Sequence, residues 1–184
     1  DCSLEEVDLI PYKIIPGEEN EYKEICYYES FWNQVTSDWD AVGITAGTYL
    51  IMVNPGIYLI ESDFTLTTSF EPTVVYECEP NDTKDTFSYI DVGYGKYGSS
   101  SHRESGMDTD WYAFDIIEDS CINLSFSHPA GNLPQVGWTI TVFNENNEKI
   151  TQFTSRLRDS VITTGTIGLK ADRYYICVEP STEF

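Results

Sequence analysis

The chain has few basic residues. Only 10 of its 184 residues are Lys or Arg, against 31 Asp and Glu, which gives a formal net charge of −21 at pH 7. Nucleic acids and anionic membranes are bound through clustered Lys and Arg. The charge balance therefore argues against both as partners, and it is typical of an extracellular protein that takes divalent cations as ligands.

Catalytic signatures are missing as well. The two histidines, His102 and His128, lie in separate predicted loops, and the chain contains neither HExxH nor GxSxG. Acidic residues are so numerous that some carboxylate pair will have glycosidase spacing by chance, so such pairs carry no weight. We therefore expect a protein that is not an enzyme.

Long apolar runs are also absent. No stretch approaches the roughly 20 apolar residues of a membrane-spanning helix, so we expect no segment that crosses a bilayer. The five cysteines form no CxxC pair, which disfavours a zinc site, and their odd number leaves at least one thiol unpaired within a monomer. The abrupt start at Asp1 is typical of a mature end or an excised piece.

Short β patterns make up most of what is present. Aromatic residues account for 14% of the chain, which excludes a disordered protein. Apolar or alternating runs separated by turn residues predict strands throughout, without helical periodicity. The run 46–53 predicts a strand buried between two sheets, and alternation places Trp138 on the inward face with Ile140 and Val142. The prediction is an all-β, antiparallel, jelly-roll-like β-sandwich.

One strand pattern occurs twice. Residues 43–53 align without gaps to residues 168–178, with Gly, Ala, Tyr, Ile and Val at matching places. The repeat predicts two related lobes, residues 1–72 and residues 73–184. The first lacks the front half of the pattern and the second lacks a closing strand. Either the halves complete one another or the chain is a trimmed piece, and we expect one cooperative unit.

Oxygen-bearing side chains are concentrated at residues 77–82. Alternate residues of an extended segment point the same way, so Glu77, Glu79 and Asn81 can converge. Two further carboxylates, Asp108 and Asp110, directly precede a strand pattern. Calcium takes about six to eight oxygens from carboxylates, amides and carbonyls. The spacing alone leaves two alternatives open, a calcium site and a solvated acidic linker whose Asn and Asp start turns.

Three short motifs resemble a known family. They are Glu-Pro-Asn-Asp-Thr at 79–83, Asp-x-Asp-Trp-Tyr-x-Phe at 108–114 and Tyr-Tyr-Ile-x-Val at 174–178. Together they resemble the bacterial pre-peptidase C-terminal domain, a β-sandwich appended to secreted enzymes, which includes the collagen-binding domains of clostridial collagenases. The resemblance spans roughly residues 77–178. It implies a calcium ion held by Glu77, Glu79, Asn81, Asp82, Asp108 and Asp110.

Aromatic side chains in polar surroundings suggest a second kind of site. Sugar rings have apolar faces that stack on Trp and Tyr. Five rings lie in predicted loops or on the solvent side of a predicted strand: Trp32, Trp39, Tyr94, Tyr97 and Trp111. Each one alone is better explained by packing under a loop. As a set they are candidates for a binding surface.

Three functional classes fit these observations. We favour a non-catalytic carbohydrate-binding module, part of a larger multidomain protein that is secreted and attached to the cell surface. A neutral polysaccharide is not repelled by the negative charge. The composition also resembles that of starch-adherence proteins of gut anaerobes, which ranks starch, an α-1,4-glucan, first. The alternatives are a calcium-dependent collagen- or peptide-binding module and a structural spacer in a secreted protease or adhesin.

Overall fold

The computed structural model describes most of the second half of the chain and parts of the first. The described residues are 7–14, 22–24, 28–30, 43–55, 65–69, 72, 74–99, 102–103, 106–129, 137–156, 159 and 161–181. Trp32 and Trp39 lie outside them.

The described elements are strands, with one short 3-10 turn at Lys84–Thr86, which confirms the all-β prediction. In chain order the strands are β1 (Val7–Ile14), β2 (Tyr22–Glu24), β3 (Tyr28–Ser30), β4 (Tyr49–Pro55), β5 (Ser88–Tyr89), β6 (His102–Arg103), β7 (Gly106–Met107), β8 (Asp110–Ile116), β9 (Ser120–Ile122), β10 (Ser125–Ser127), β11 (Gly137–Asn144), β12 (Lys149–Arg156), β13 (Val161–Thr163), β14 (Ile167–Leu169) and β15 (Asp172–Ser181).

The first sheet is built around β1. Strand β4 pairs with β1 along nearly its whole length, and the short strands β2 and β3 pair with its two ends; all three pairings are antiparallel. The strand predicted within 46–53 is present, but its predicted burial is wrong, because Leu50, Ile51 and Met52 are 48%, 40% and 42% exposed. Apolar residues with β propensity are enough to form a strand. Whether a second layer covers the strand depends on distant parts of the chain.

The main sheet of the second half has five strands in the order β12-β11-β15-β8-β5. Its pairings are antiparallel except for the parallel pair β5–β8. Alternation along β8 sends Tyr112, Phe114 and Ile116 into the core, whereas Trp111 and Asp115 remain half-buried. The same alternation on β11 buries Ile140 and Val142, and Trp138 packs against the core while staying partly exposed.

A layer of two short two-stranded ladders packs on this sheet. Strand β9 pairs with β14 and β10 pairs with β13, and between the two ladders the Thr164 N–H donates to the Leu124 carbonyl at 2.9 Å. Ile122, Leu124, Phe126 and Ile167 of this region pack against the core side chains of the five-stranded sheet. The apolar area buried between them is the main stabilising contribution in this half of the chain. A jelly-roll-like sandwich of two related lobes remains a prediction.

Residues 43–44 of the first predicted lobe contact residues 77–79, near the start of the second. The Glu79 N–H donates to the Gly43 carbonyl at 2.9 Å, and Ile44 forms a parallel bridge with Glu79. A Cβ on Gly43 would lie 1.7 Å from the Glu77 carbonyl oxygen, so the two backbones can approach this closely only at a glycine. The chain therefore joins the two predicted lobes at the acidic segment.

Among the described residues, no helix has the length and apolarity needed to span a membrane.

Candidate metal centre

The backbone of the acidic segment is held by hydrogen bonds to other parts of the chain. The Glu79 N–H donates to the Gly43 carbonyl, as above. The Glu77 N–H donates to the Tyr97 carbonyl at 2.8 Å, and the Tyr97 N–H donates to the Val75 carbonyl at 2.7 Å. The intervening Cys78 N–H donates to Ser88 Oγ at 2.7 Å. This backbone pairing fixes the direction of the alternate side chains Glu77 and Glu79.

Five of the six predicted cation ligands are almost completely buried. The exposed fractions are 1% for Glu77, 1% for Glu79, 0% for Asn81, 2% for Asp108 and 4% for Asp110, whereas Asp82 is half-buried. Acidic side chains are almost never fully buried unless they are paired or bind a metal. The burial therefore favours a binding site over a solvated acidic linker.

The six residues come together from two chain segments. Oxygen atoms of Glu77, Glu79 and Asp110 lie within 4.8 Å of one another, and the same holds for Glu79, Asp82 and Asp108. The Trp111 N–H donates to the Asn81 carbonyl at 2.9 Å, which attaches the start of β8 to the acidic segment. Glu79 belongs to both triads, so the two triads form one continuous cluster.

The Glu77 carboxylate accepts four hydrogen bonds from the protein. Its Oε1 accepts from the backbone N–H of Ser99 at 2.5 Å and from Ser99 Oγ at 3.3 Å. Its Oε2 accepts from Asn81 Nδ2 at 3.2 Å and from the Tyr112 hydroxyl. A carboxylate offers about four lone-pair positions, so these donors occupy all of them. Burial raises the pKa of Tyr112 above its usual range and the charge of Glu77 raises it further, which keeps this donor protonated.

The amide of Asn81 is oriented by its two acidic neighbours. Its Nδ2 donates to Glu77, and its backbone N–H donates to Glu79 Oε2 at 3.3 Å. The opposite end of the amide, Oδ1, is buried and accepts no hydrogen bond in the described part of the chain. Leaving a buried acceptor unsatisfied costs about 1–3 kcal/mol. A cation bound between the carboxylates would satisfy this oxygen.

None of the three cysteines in the described part of the chain belongs to the cluster. Cys78, Cys121 and Cys177 are free thiols, and burial raises the pKa of the Cys177 thiol to about 12. Metals are bound by thiolates, so a thiol with this pKa is a poor ligand. In the described part of the chain, the groups at this centre that could bind a metal are several carboxylates and the amide of Asn81.

Sequence reasoning missed three residues that build this centre. Ser99 and Tyr112 donate to Glu77, and Gly98 leaves room for both groups, because a Cβ there would lie 2.4 Å from the Tyr112 hydroxyl and 2.8 Å from Glu77 Oε2. Ser99 and Gly98 belong to a loop that the sequence marks only as rich in glycine and serine. Tyr112 sits on the core face of its strand, where a packing role is the simplest expectation.

Two of the three described aromatic candidates, Tyr97 and Trp111, contact other rings, and Tyr94 and Tyr97 are exposed. Tyr94 and Tyr97 are 78% and 66% exposed on the loop 91–99, where the Tyr97 ring lies 5.5 Å from the Tyr76 ring. Trp111 is half-buried and stacks on Phe143, with ring centroids 5.7 Å apart. Tyr76 and Phe143 were not among the sequence-based candidates. Of each pair, only Tyr97 and Trp111 lie in sequence contexts that suggest exposure.

His128 has a packing role. Its ring lies 4.2 Å from the Trp138 ring, its Nε2 is 2.7 Å from Ser155 Oγ, and its Nδ1 is 2.9 Å from the Pro129 carbonyl. A carbonyl only accepts, so a neutral ring carries its proton on Nδ1 and accepts from Ser155 through Nε2. Ser155 is 0% exposed. A hydroxyl buried in this way cannot reach a substrate.

Comparison with models of known protein families and with curated proteins finds no match to this chain. The geometry of the metal centre and of the exposed rings is therefore the basis for a functional assignment.

Proposed function

We propose that this chain is a calcium-stabilised, non-catalytic β-module of a secreted, cell-surface protein, and that it binds a neutral polysaccharide through exposed aromatic rings. The observation that carries the calcium site is the buried Asn81 Oδ1, which accepts no hydrogen bond beside carboxylates that are themselves buried. Its membership of the pre-peptidase C-terminal family is part of the same proposal.

The need for a cation follows from charge and burial. Two carboxylates about 4.8 Å apart repel each other by on the order of 3 kcal/mol at the effective dielectric constant of a protein site. Glu79 has such neighbours in both triads. A divalent cation converts this repulsion into attraction, and its binding energy stabilises the folded chain.

Calcium is the divalent cation that these ligands suit best. Carboxylate and amide oxygens select hard cations, whereas zinc and copper favour imidazole and thiolate. Magnesium retains several of its waters and requires a near-octahedral geometry, whereas calcium accepts irregular sets of oxygens. Since the donors of Glu77 already occupy its lone pairs, Glu79, Asn81, Asp82, Asp108 and Asp110 would hold the ion.

The calcium site can be tested on metal-stripped protein. Millimolar calcium should raise the melting temperature by about 5–10 °C if it exceeds the dissociation constant about a hundredfold, and chelator should reverse the shift. Magnesium at the same concentration should raise it less. An unchanged melting temperature in calcium would refute the site.

The polysaccharide proposal is supported by exposure and charge. Tyr94 and Tyr97 present large apolar rings to solvent on a protein of formal charge −21, and a neutral glycan approaches such a surface without repulsion. The Trp111–Phe143 stack offers a second, flatter patch. Shallow stacking gives weak binding, with dissociation constants on the order of micromolar to millimolar. Starch is the first candidate.

One observation favours a second candidate. Among the candidates in the described part of the chain, the two largely exposed rings, Tyr94 and Tyr97, are both tyrosines, and Trp111 is half-buried. A tyrosine surface fits a collagen or other peptide ligand as well as a sugar.

Affinity electrophoresis in soluble starch, with a collagen peptide in a parallel assay, separates the two candidates. Retardation in starch that Tyr94→Ala and Tyr97→Ala reduce, with the fold retained, would support the glycan. Unretarded migration with clear peptide binding would support the second candidate. Tyr89→Ala is a control for the loss of an exposed tyrosine ring, because Tyr89 is 40% exposed, lies on β5 outside the loop 91–99 and donates to Asp115.

A further inference from the structure

The exposed tyrosine loop is attached to the candidate metal centre through Glu77. We propose that Glu77 is a positioning residue through which calcium occupancy orders the loop 91–99, so that Tyr94 and Tyr97 are presented for binding only when the cation is bound. This inference rests on the proposed calcium site and adds to it the regulation of the aromatic surface.

Both the backbone and the side chain of Glu77 hold the loop. The Glu77 N–H donates to the Tyr97 carbonyl at 2.8 Å, and the Glu77 carboxylate accepts from the backbone N–H and the hydroxyl of Ser99. The Tyr97 N–H donates to Val75, and Lys96 Nζ donates to the Val74 carbonyl at 2.9 Å. In the described chain, the hydrogen bonds shown for residues 95–99 all go to residues 74–77.

Close packing makes the position of the loop depend on the Glu77 carboxylate. The Cα of Gly98 faces the Tyr112 hydroxyl and Glu77 Oε2 so closely that a Cβ would clash with both. The loop cannot move inward at this point. If the carboxylate moved, Ser99 would lose the acceptor that fixes it.

Cation binding affects Glu77 through the residues next to it. Glu77 lies within 4.8 Å of Glu79 and Asp110, and it accepts from the amide of Asn81. A cation bound by Glu79, Asp110 and Asn81 Oδ1 fixes the amide that donates to Glu77 and removes the repulsion acting on its carboxylate. Without the cation, that repulsion pushes Glu77 away from its neighbours and weakens its hold on Ser99.

The segment 91–94, which precedes these anchors, has little to hold it. Tyr94 is exposed, Gly93 has a left-handed backbone with φ of 95°, and the Tyr94 N–H donates within the loop itself, to Asp91. Few buried contacts and exposed backbone hydrogen bonds are the marks of a segment that opens locally. Coupling between two binding sites is reciprocal. If calcium raises the affinity of the loop for a ligand by some factor, that ligand must raise the affinity for calcium by the same factor.

Hydrogen exchange on the metal-stripped protein, residues 1–184, tests the proposal, with calcium alone as the probe. Calcium should slow exchange of the amides of residues 95–99 by about fivefold or more, which is the lower end of typical coupling between sites. In Glu77→Gln, calcium should still bind, with the slowing at 95–99 largely lost. Glu118→Gln, in an exposed turn, should behave as the unsubstituted protein.

The outcomes separate the two proposals. If the unsubstituted protein binds no calcium by titration calorimetry, the proposed calcium site is refuted. If calcium binds while exchange at 95–99 is unchanged, the calcium site survives and the positioning role is refuted. Loss of calcium binding in a folded Glu77→Gln would make Glu77 a direct ligand and would also overturn the role. Should Glu77→Gln not fold, Ser99→Ala, which removes one of the two hydrogen bonds that Ser99 donates to the Glu77 carboxylate, should still bind calcium and reduce the slowing.

Discussion

Asn81→Ala is expected to have an effect that depends on calcium. In chelator, the substitution removes the hydrogen bond from Nδ2 to Glu77, worth about 1.5–3 kcal/mol because the acceptor is charged. It also removes the buried Oδ1 that accepts nothing, whose burial costs about 1–3 kcal/mol. The two effects are similar in size and opposite in sign. The free energy of unfolding should therefore change by less than about 1 kcal/mol in chelator.

In the presence of calcium, Asn81→Ala should lower the free energy of unfolding relative to the unsubstituted protein. The unsubstituted protein gains about 2.7 kcal/mol at a hundred times the dissociation constant. The variant lacks one ligand and binds more weakly, so it gains less at the same calcium concentration. Urea unfolding of both proteins, in chelator and in calcium, gives four free energies of unfolding. From these the loss of stability in chelator can be compared with the loss in calcium.

Asn144→Ala is the matched control for this comparison. The Asn144 side chain accepts from the Glu148 backbone N–H and donates to the Glu148 carboxylate, and Asn144 is not one of the candidate cation ligands. Its loss of stability should be the same in chelator and in calcium. If Asn81→Ala behaved in the same way, with equal losses in both conditions, Asn81 would not be a ligand and the assignment of its Oδ1 would be refuted.

Two further predictions concern packing and charge. Gly98→Ala should lower the free energy of unfolding by about 1–3 kcal/mol, because the new Cβ meets the Tyr112 hydroxyl and Glu77; an unchanged urea midpoint would contradict the close packing. Hydrogen bonds from Arg173 lower the pKa of Asp115, so this carboxylate stabilises the fold above its unfolded pKa of about 3.9 and ceases to do so as the pH falls through its folded pKa. Asp115→Asn should therefore lower the urea midpoint slightly at pH 7, and a deficit that failed to shrink in acid would contradict the ion pair.

Local pattern was enough to predict the strands and to find the acidic residues that gather. The alternation that places Tyr112 and Phe114 in the core and leaves Trp111 half-buried is a property of a single strand, so it can be read from residues 111–116 alone. Glu77, Glu79 and Asn81 point to one region for the same reason.

Contacts between distant segments could not be predicted in this way. Two of the three residues that donate to the Glu77 carboxylate, Ser99 and Tyr112, lie 22 and 35 residues further along the chain. No local pattern distinguishes a serine that donates to a buried carboxylate from one in a solvated loop. The exposure of β4 was missed for a related reason, since the burial of a strand depends on the layer above it.

The contact between Gly43 and Glu79 determines which residues must stay together when this part of the chain is transferred to another protein. A domain that evolution transfers between proteins must carry every backbone partner that its binding site requires. The Glu79 N–H finds its acceptor at Gly43, and the close approach there depends on the missing side chain of a glycine. A segment beginning at residue 73 would leave this strand of the metal centre with an unpaired edge. The smallest piece that can be moved intact to a new protein therefore begins no later than residue 43.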